Sequence, residues 1–354
     1  MSELEQLAAR LQAGEGFLLY TPVNRRYLTG FPSSLGYLLI TGKGFWLLVD
    51  GRYYEAACKA VRPPVQVVQI MKLSEQLGEL VRANGITTLY TETELTLREL
   101  AHLQALLPAV RVEGREELTA ALEAFRAVKR PDEVDCIRRA QRIAEEALEE
   151  ILHYIKPGVR EADIALELDY RMRKKGAEDL AFETIAVAGA NASLPHGVPG
   201  DYAVRPGDFI VMDFGAVCGG YRSDMTRTVA VGYVTDQMRQ VYDTVLAAQR
   251  AALDNLRAGL TCADGDKAAR SVIEAAGYGA CFNHSTGHGV GLEIHEAPNL
   301  SARSRERLCA GQIVTVEPGV YLPGKLGVRI EDMVLIMEEG CENLTLAPKE
   351  LIIL

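Results

Sequence analysis

The chain has 354 residues, 48% of them hydrophobic, which is enough for two domains that each bury a core. A formal net charge of -10 with no run of Lys or Arg excludes the electrostatic footprint of a nucleic-acid binder and that of a polybasic membrane patch. No stretch is apolar for the roughly 18 residues of a membrane span, and the acidic, amphipathic start MSELEQLAARLQAGEG does not read as a secretory signal. A cytoplasmic location, small partners, no nucleic acid and no membrane are therefore expected.

Up to about residue 120, short aliphatic and aromatic segments predict strands: GFLLYT, GYLLIT, GFWLLVD, VQVVQI, TTLYTE and VRVEG. Between them, KLSEQLGELVRANG and TLRELAHLQALLP place apolar residues three and four apart, which predicts helices. These elements make an α/β domain over residues 1–122. A second domain, 123–354, opens on a long helix that starts at Pro131, followed by Asp132 and Glu133, and stops at Lys156-Pro157-Gly158.

The second domain contains a weak internal repeat. Residues 156–163 (KPGVREAD) resemble residues 257–264 (RAGLTCAD), and at the same spacing Gly176 matches Gly277. Each copy reads as helix, turn, helix, then strands ending in an acidic hairpin. Two similar halves related by a pseudo-twofold axis would bring the two hairpins together.

Those hairpins carry two mirror-related acid pairs. In DFIVMDFGAVCGGYRSDMTRTVAV, Asp213 and Asp224 are equidistant from the Cys218-Gly219 junction, so a hairpin turning there sets them directly opposite each other. In VTVEPGVYLPGKLGVRIEDMVLI, Glu317 and Glu331 are equidistant from Gly324. Like charges facing across a hairpin are destabilising and acids are depleted from strands, so these pairs require a compensating cation.

Between the hairpins, HSTGHGVGLEIHEAP supplies His284, His288 and His295. One imidazole with four carboxylates is an oxygen-rich set suited to manganese, cobalt or zinc rather than a thiolate site. Four negative charges balance two divalent ions, and such a pair, about 3.5 to 4 Å apart, activates a bridging water. Thr226, Thr315 and Arg329 each lie two residues from a proposed ligand, hence on the same strand face, where they orient carboxylates or contact substrate. The competing reading is a set of solvated strand-end acids beside a core histidine. The seven cysteines are odd in number and form no CxxC, so buried free thiols are expected, with Cys218 at the first hairpin tip.

The set PHGVPGD, DFG with GYRSDMTRT, GHGVGLEIHEAP, TVEPGVY and GVRIED resembles the M24 metallopeptidase family with the pita-bread fold, over residues 190 to 335. VNRRYLTGF and VDGRYYEAA resemble the creatinase/prolidase N-terminal domain. The resemblance implies an α/β (α+β) chain, with a creatinase/prolidase-like domain followed by a pita-bread catalytic domain built on a pseudo-twofold repeat. It implies that Asp213 binds one metal ion, that Asp224 and Glu331 bridge two, and that His288 and Glu317 complete the shells. Glu317 would also carry a proton, His196 and His295 would meet the substrate, and Arg329 would support the metal shell or the substrate. Plainer readings make His196 a loop hydrogen-bonder, His284 a structural or supporting group, His102 and His153 structural, and Tyr221 a packing residue or substrate wall.

The activity implied is that of a metallo-exopeptidase of the proline-directed branch, cleaving between a first residue and a following proline by a metal-bridging hydroxide. Manganese is the first candidate metal, with cobalt or zinc as alternatives. A homodimer is implied too, its N-terminal domain helping to shape the partner's cleft. Methionine aminopeptidases generally lack an N-terminal domain of this size, and creatinase-like members lack the acid ligands. Dipeptide-specific relatives often carry an Arg just after HExxP to take the proline carboxylate; here that position is Asn299, with Arg303 and Arg305 further on. The expectation is an Xaa-Pro aminopeptidase that also accepts dipeptides, with a strict Xaa-Pro dipeptidase as the alternative. A non-catalytic peptide-binding homologue would have lost ligands, and none is lost here.

Overall fold

Six short apolar segments of the N-terminal part pair into one mixed sheet. They are β1 (Glu15–Leu19), β2 (Tyr37–Thr41), β3 (Gly44–Val49), β4 (Val65–Gln69), β5 (Thr88–Thr91) and β6 (Arg111–Gly114), in the order β4-β3-β2-β1-β5-β6. The computed structural model describes residues 1–354, which divide into two units, Met1–Arg126 and Ala127–Leu354. In the first unit β2 runs antiparallel to β1 and β3, and the outer pairings are parallel. Phe17, Leu18, Leu19, Leu38, Leu39 and Ile40 are fully buried, as unbroken apolar strands covered on both faces must be.

Helices Leu73–Asn84 and Leu97–Leu106 occupy the two segments read as helical. The VNRRYLTGF and DGRYYEAA segments are helical as well. Pro22 sits in the first turn of Pro22–Thr29, where its missing N–H does no harm, and Asp50 caps Gly51–Ala60 by accepting from the Arg52 N–H. Helix Glu116–Ala127 runs across the position expected for the domain boundary, so the first unit extends to Arg126. No helix in the chain is long and apolar enough to cross a membrane.

The second unit opens on helix Pro131–Leu152, with Pro131 in its first turn. It ends short of the expected stop because a tightened turn closes it: the Tyr154 N–H donates to the Ile151 carbonyl at 2.9 Å. The repeat is real in the backbone. Helices Glu161–Lys174 and Cys262–Ala275 start and end at matching positions of the two copies. Ahead of them, Gly158 N–H donates to Val204 O and Gly259 N–H to Leu308 O, each at 2.8 Å. Arg160 bridges Ala203 as Thr261 bridges Arg307. Each half has its own core, one around Ile164, Leu168 and Phe214, the other around Tyr242, Ile273 and Val334.

The two hairpins differ in register. Strand Phe209–Phe214 pairs with Met225–Ala230 so that Asp213 faces Thr226, and the ribbon continues to Cys218 opposite Tyr221. The turn is therefore Gly219-Gly220, one residue beyond the junction expected, and Asp213 and Asp224 are not directly opposed. A two-residue hairpin turn of this hand needs positive φ at both central residues, which Gly219 (φ 60°) and Gly220 (φ 81°) supply and Cys218 would not. In the second hairpin Gly319 pairs with Arg329 and Val316 with Asp332, so Glu317 and Glu331, at the level between, do face each other around Gly324.

Candidate metal centre

Ligand atoms of Asp224, His288 and Glu331 lie within 4.8 Å of one another. His288 Nε2 is 3.6 Å from Asp224 Oδ2 and 3.4 Å from Glu317 Oε1, which adds the fourth group. Asp213 joins through Arg329, whose Nη2 donates to its Oδ2 at 2.5 Å. These five residues come from both halves of the repeat and from strand Gly287–Gly289, so folding, not sequence proximity, assembles them.

Neighbouring side chains aim the carboxylates. Thr226 Oγ1 donates to Glu331 Oε2 at 2.7 Å and accepts from Arg329 Nε at 2.9 Å. Thr315 Oγ1 donates to Glu317 Oε1 at 3.3 Å and accepts the His288 backbone N–H at 3.1 Å. His288 Nδ1 sits 3.1 Å from the Gly289 carbonyl, which can only accept, so the proton is held there and Nε2 turns its lone pair to the acids. Thr226, Thr315 and Arg329 thus each hydrogen-bond a carboxylate of the cluster, Thr226 that of Glu331 in the other hairpin rather than Asp224 in its own.

One member escaped the sequence reading. Tyr321 is buried, accepts from Arg329 Nη1 at 2.8 Å and lies 3.0 Å from His284 Nε2. His284 Nδ1 donates to Ser285 O at 2.8 Å, so His284 is tied into an Arg329-Tyr321-His284 chain beside Glu317. The signal was available: counting by twos along the strand from Glu317 through Gly319 reaches Tyr321 on the same face.

Electrostatics mark the same place. Burial, then the charges of Glu331, Asp213 and Glu317, push the Asp224 carboxyl well above the usual range. Burial, then Glu317 and Asp213, do the same to Glu331, and Glu317 is pushed up to about 8, chiefly by burial. Burial pulls His284 and His288 down to about 4, so both are neutral near pH 7. Crowded carboxyls that resist ionisation and a neutral imidazole are what a divalent cation corrects, since its charge offsets their repulsion. Asp213 Oδ1 is buried with no hydrogen-bond partner, an acceptor left for such an ion. The donor set fits divalent metal.

The open side carries the remaining histidines. His196 is exposed in the turn after the short helix Gly189–Ser193, and the Pro195 carbonyl next to it accepts from Arg329 Nη1 at 3.2 Å. His295 is exposed, with its ring edge-on to His288 at 4.4 Å between centroids. Burial lowers the His295 pKa, and the charge of His196 lowers it further. Asn299 stands directly across from His288. Tyr221 donates to Glu133 Oε1 at 2.6 Å and packs against Val134 and Ile137, which bears out packing. The thiols are all free, but only Cys262 is buried; Cys58 and Cys309 are exposed, because they lie on an outer helix face and in a surface turn.

Residues 135–338 match the family described as Metallopeptidase family M24, and residues 3–128 match the Creatinase/Prolidase N-terminal domain. The chain is 36% identical to the Xaa-Pro dipeptidase of Pyrococcus horikoshii, covering 93% of this chain and 92% of that one. Among solved structures it is similar to an Xaa-Pro dipeptidase from Bacillus anthracis (TM-score 0.94, 40% identity, 99% of each chain). It is also similar to an X-Pro aminopeptidase from Thermotoga maritima (TM-score 0.92, 35% identity, 100% of each chain). With that agreement over both units, and a buried acid-histidine cluster where the chemistry requires one, the chain belongs to metallopeptidase family M24, a metal-dependent peptide hydrolase whose pita-bread catalytic domain follows a creatinase-type N-terminal domain.

Proposed function

We propose that this enzyme is a two-metal exopeptidase that releases the first residue of peptides with proline in second position, acting on Xaa-Pro-Xaa peptides and also on Xaa-Pro dipeptides. The observation that carries this reading is the convergence of Asp213, Asp224, His288, Glu317 and Glu331, with Arg329 the cation that touches their carboxylates. Those five would hold two divalent ions, with manganese first and cobalt or zinc as alternatives. Bound there, the ions supply Lewis acidity, polarising the scissile carbonyl and lowering the pKa of water.

The chain's own groups do the rest. Glu317, beside His288 in the cluster, is the carboxylate that passes a proton from water to the leaving nitrogen. Arg329 and Thr226 hold Asp213 and Glu331 in place. His196 and His295, exposed on the open side, donate to the scissile carbonyl or move protons. A bond to proline has no N–H, so its recognition rests on shape. Leu194 and Val198, both exposed beside His196, offer apolar surface for the ring.

Relatives named as dipeptidases favour a second reading, a strict Xaa-Pro dipeptidase. Asn299 argues for the broader one, since it puts a neutral amide across from His288, where a cation would grip a free proline carboxylate. Rates on a matched Xaa-Pro dipeptide and Xaa-Pro-Xaa tripeptide, with manganese, cobalt and zinc added back in turn, separate the two; no tripeptide turnover with any metal overturns the aminopeptidase reading. The family resemblance also supports a homodimer as the working form, which equilibrium sedimentation measures.

A further inference from the structure

Glu296 follows His295 in the HEAP motif, and none of the roles above uses it. Its carboxylate and the Lys129 ammonium form a buried ion pair at 3.1 Å, with side chains 5% and 1% exposed. Lys129 Nζ also donates to the Ala127 carbonyl at 3.2 Å, and its backbone is anchored by the N–H bond to Gly311 O at 2.8 Å. The other carboxylate oxygen, Glu296 Oε1, accepts the Glu293 N–H at 3.0 Å. One carboxylate thus closes the turn that carries His295 and ties it to a fixed lysine. Gly291 makes room: a Cβ there would come within 2.5 Å of Glu296 Oε2. The Gly291 N–H then closes the loop on Glu293 O at 3.0 Å.

His295 makes no side-chain hydrogen bond of its own; its ring only rests against His288. Its placement therefore comes from its backbone, and the backbone is held by the ion pair. We propose that Lys129 and Glu296 are positioning residues whose buried pair fixes loop 291–296 and so keeps His295 on the substrate side of the centre, an inference that rests on His295 working at the substrate. Removing either partner breaks this buried ion pair, which is strongly unfavourable and is relieved by admitting water and shifting the loop.

The test uses manganese-loaded full-length protein and an Xaa-Pro-Xaa tripeptide, with Lys129→Met, Glu296→Gln, His295→Ala and the two doubles that add His295→Ala. Each of the first two variants is expected to lower kcat by about 10²-fold, the effect of misplacing a catalytic group by roughly 1 Å. KM and bound metal should stay unchanged, with no further loss in the His295→Ala background. Equal losses in both backgrounds, metal lost together with activity, or wild-type kcat in Glu296→Gln overturns the proposal. Should Lys129→Met fail to fold, Glu296→Gln decides, because it keeps the side-chain size and the acceptor for Glu293. Wild-type kcat in His295→Ala would overturn the role of His295 itself, a failure distinct from one in which His295 matters but the ion pair does not act through it.

Discussion

In the ribbon of residues 209–230 the acids are staggered, Asp213 facing Thr226 while Asp224 lies past the paired strand; in the ribbon of residues 313–336, Glu317 and Glu331 stand level. The stagger leaves room for an exchange between ribbons. Asp213 takes Arg329 from the second ribbon, and Thr226, which occupies the place across from Asp213, reaches Glu331. Each copy of the repeat orients an acid of the other. The centre therefore depends on bracing between two ribbons rather than on mirror symmetry within each.

The sharpest way to break that comparison is to remove one central acid from each side. Asp224→Asn and Glu331→Gln should both abolish turnover and lower metal content together; if one retains metal and activity, the ribbons are not equal contributors. His295 belongs to neither ribbon. His295→Ala should lower kcat by about 10²- to 10⁴-fold, as for loss of a proton-transfer group, with metal content intact. Metal loss in that variant would move His295 into the ligand set.

The cross-braces come next. Arg329→Met should cost about 10- to 100-fold in metal affinity, the usual scale for groups that orient ligands. Thr226→Val should cost less, because it deletes one neutral donor to Glu331 while the strand pairing remains. Isothermal titration of metal into the stripped variants gives the order, and a larger loss for Thr226→Val would reverse the bracing described.

The smallest effect is on stability against pH in metal-free protein. Carboxyls raised in the folded state, Glu317 to about 8 among them, hold protons that the unfolded chain has released, so stability is lost as pH rises through the folded value. His284 and His288, pulled to about 4 from 6.5, act the other way, adding stability as pH rises from about 4 to 6.5. Above pH 6.5 only the carboxyls remain, so Tm should fall between pH 6.5 and 8, and added manganese should raise Tm more at pH 8 than at 6.5. A metal-free Tm that climbs across that interval would contradict the crowded-acid picture.

Much of this was legible in the residues. Short runs of aliphatic and aromatic residues revealed β1 to β6, and the repeated glycine-turn-helix pattern revealed two copies whose helices indeed start and end in step. Local reading failed at the first turn, where counting residues between Asp213 and Asp224 ignored that a tight turn selects its own glycines. It also missed Tyr321, whose value depends on His284 and Arg329 arriving from elsewhere in the chain.

Composition, strand periodicity and the order of acids and histidines determined by themselves that this chain builds a cation-requiring centre, because each of those signals is written in short stretches of residues. Which acid is braced by which neighbour, how far the carboxyls are forced to stay protonated, and which lysine stands behind the HEAP turn were decided only by the tertiary structure. Those are properties of burial and of distances between segments far apart in the chain, and no local pattern encodes them.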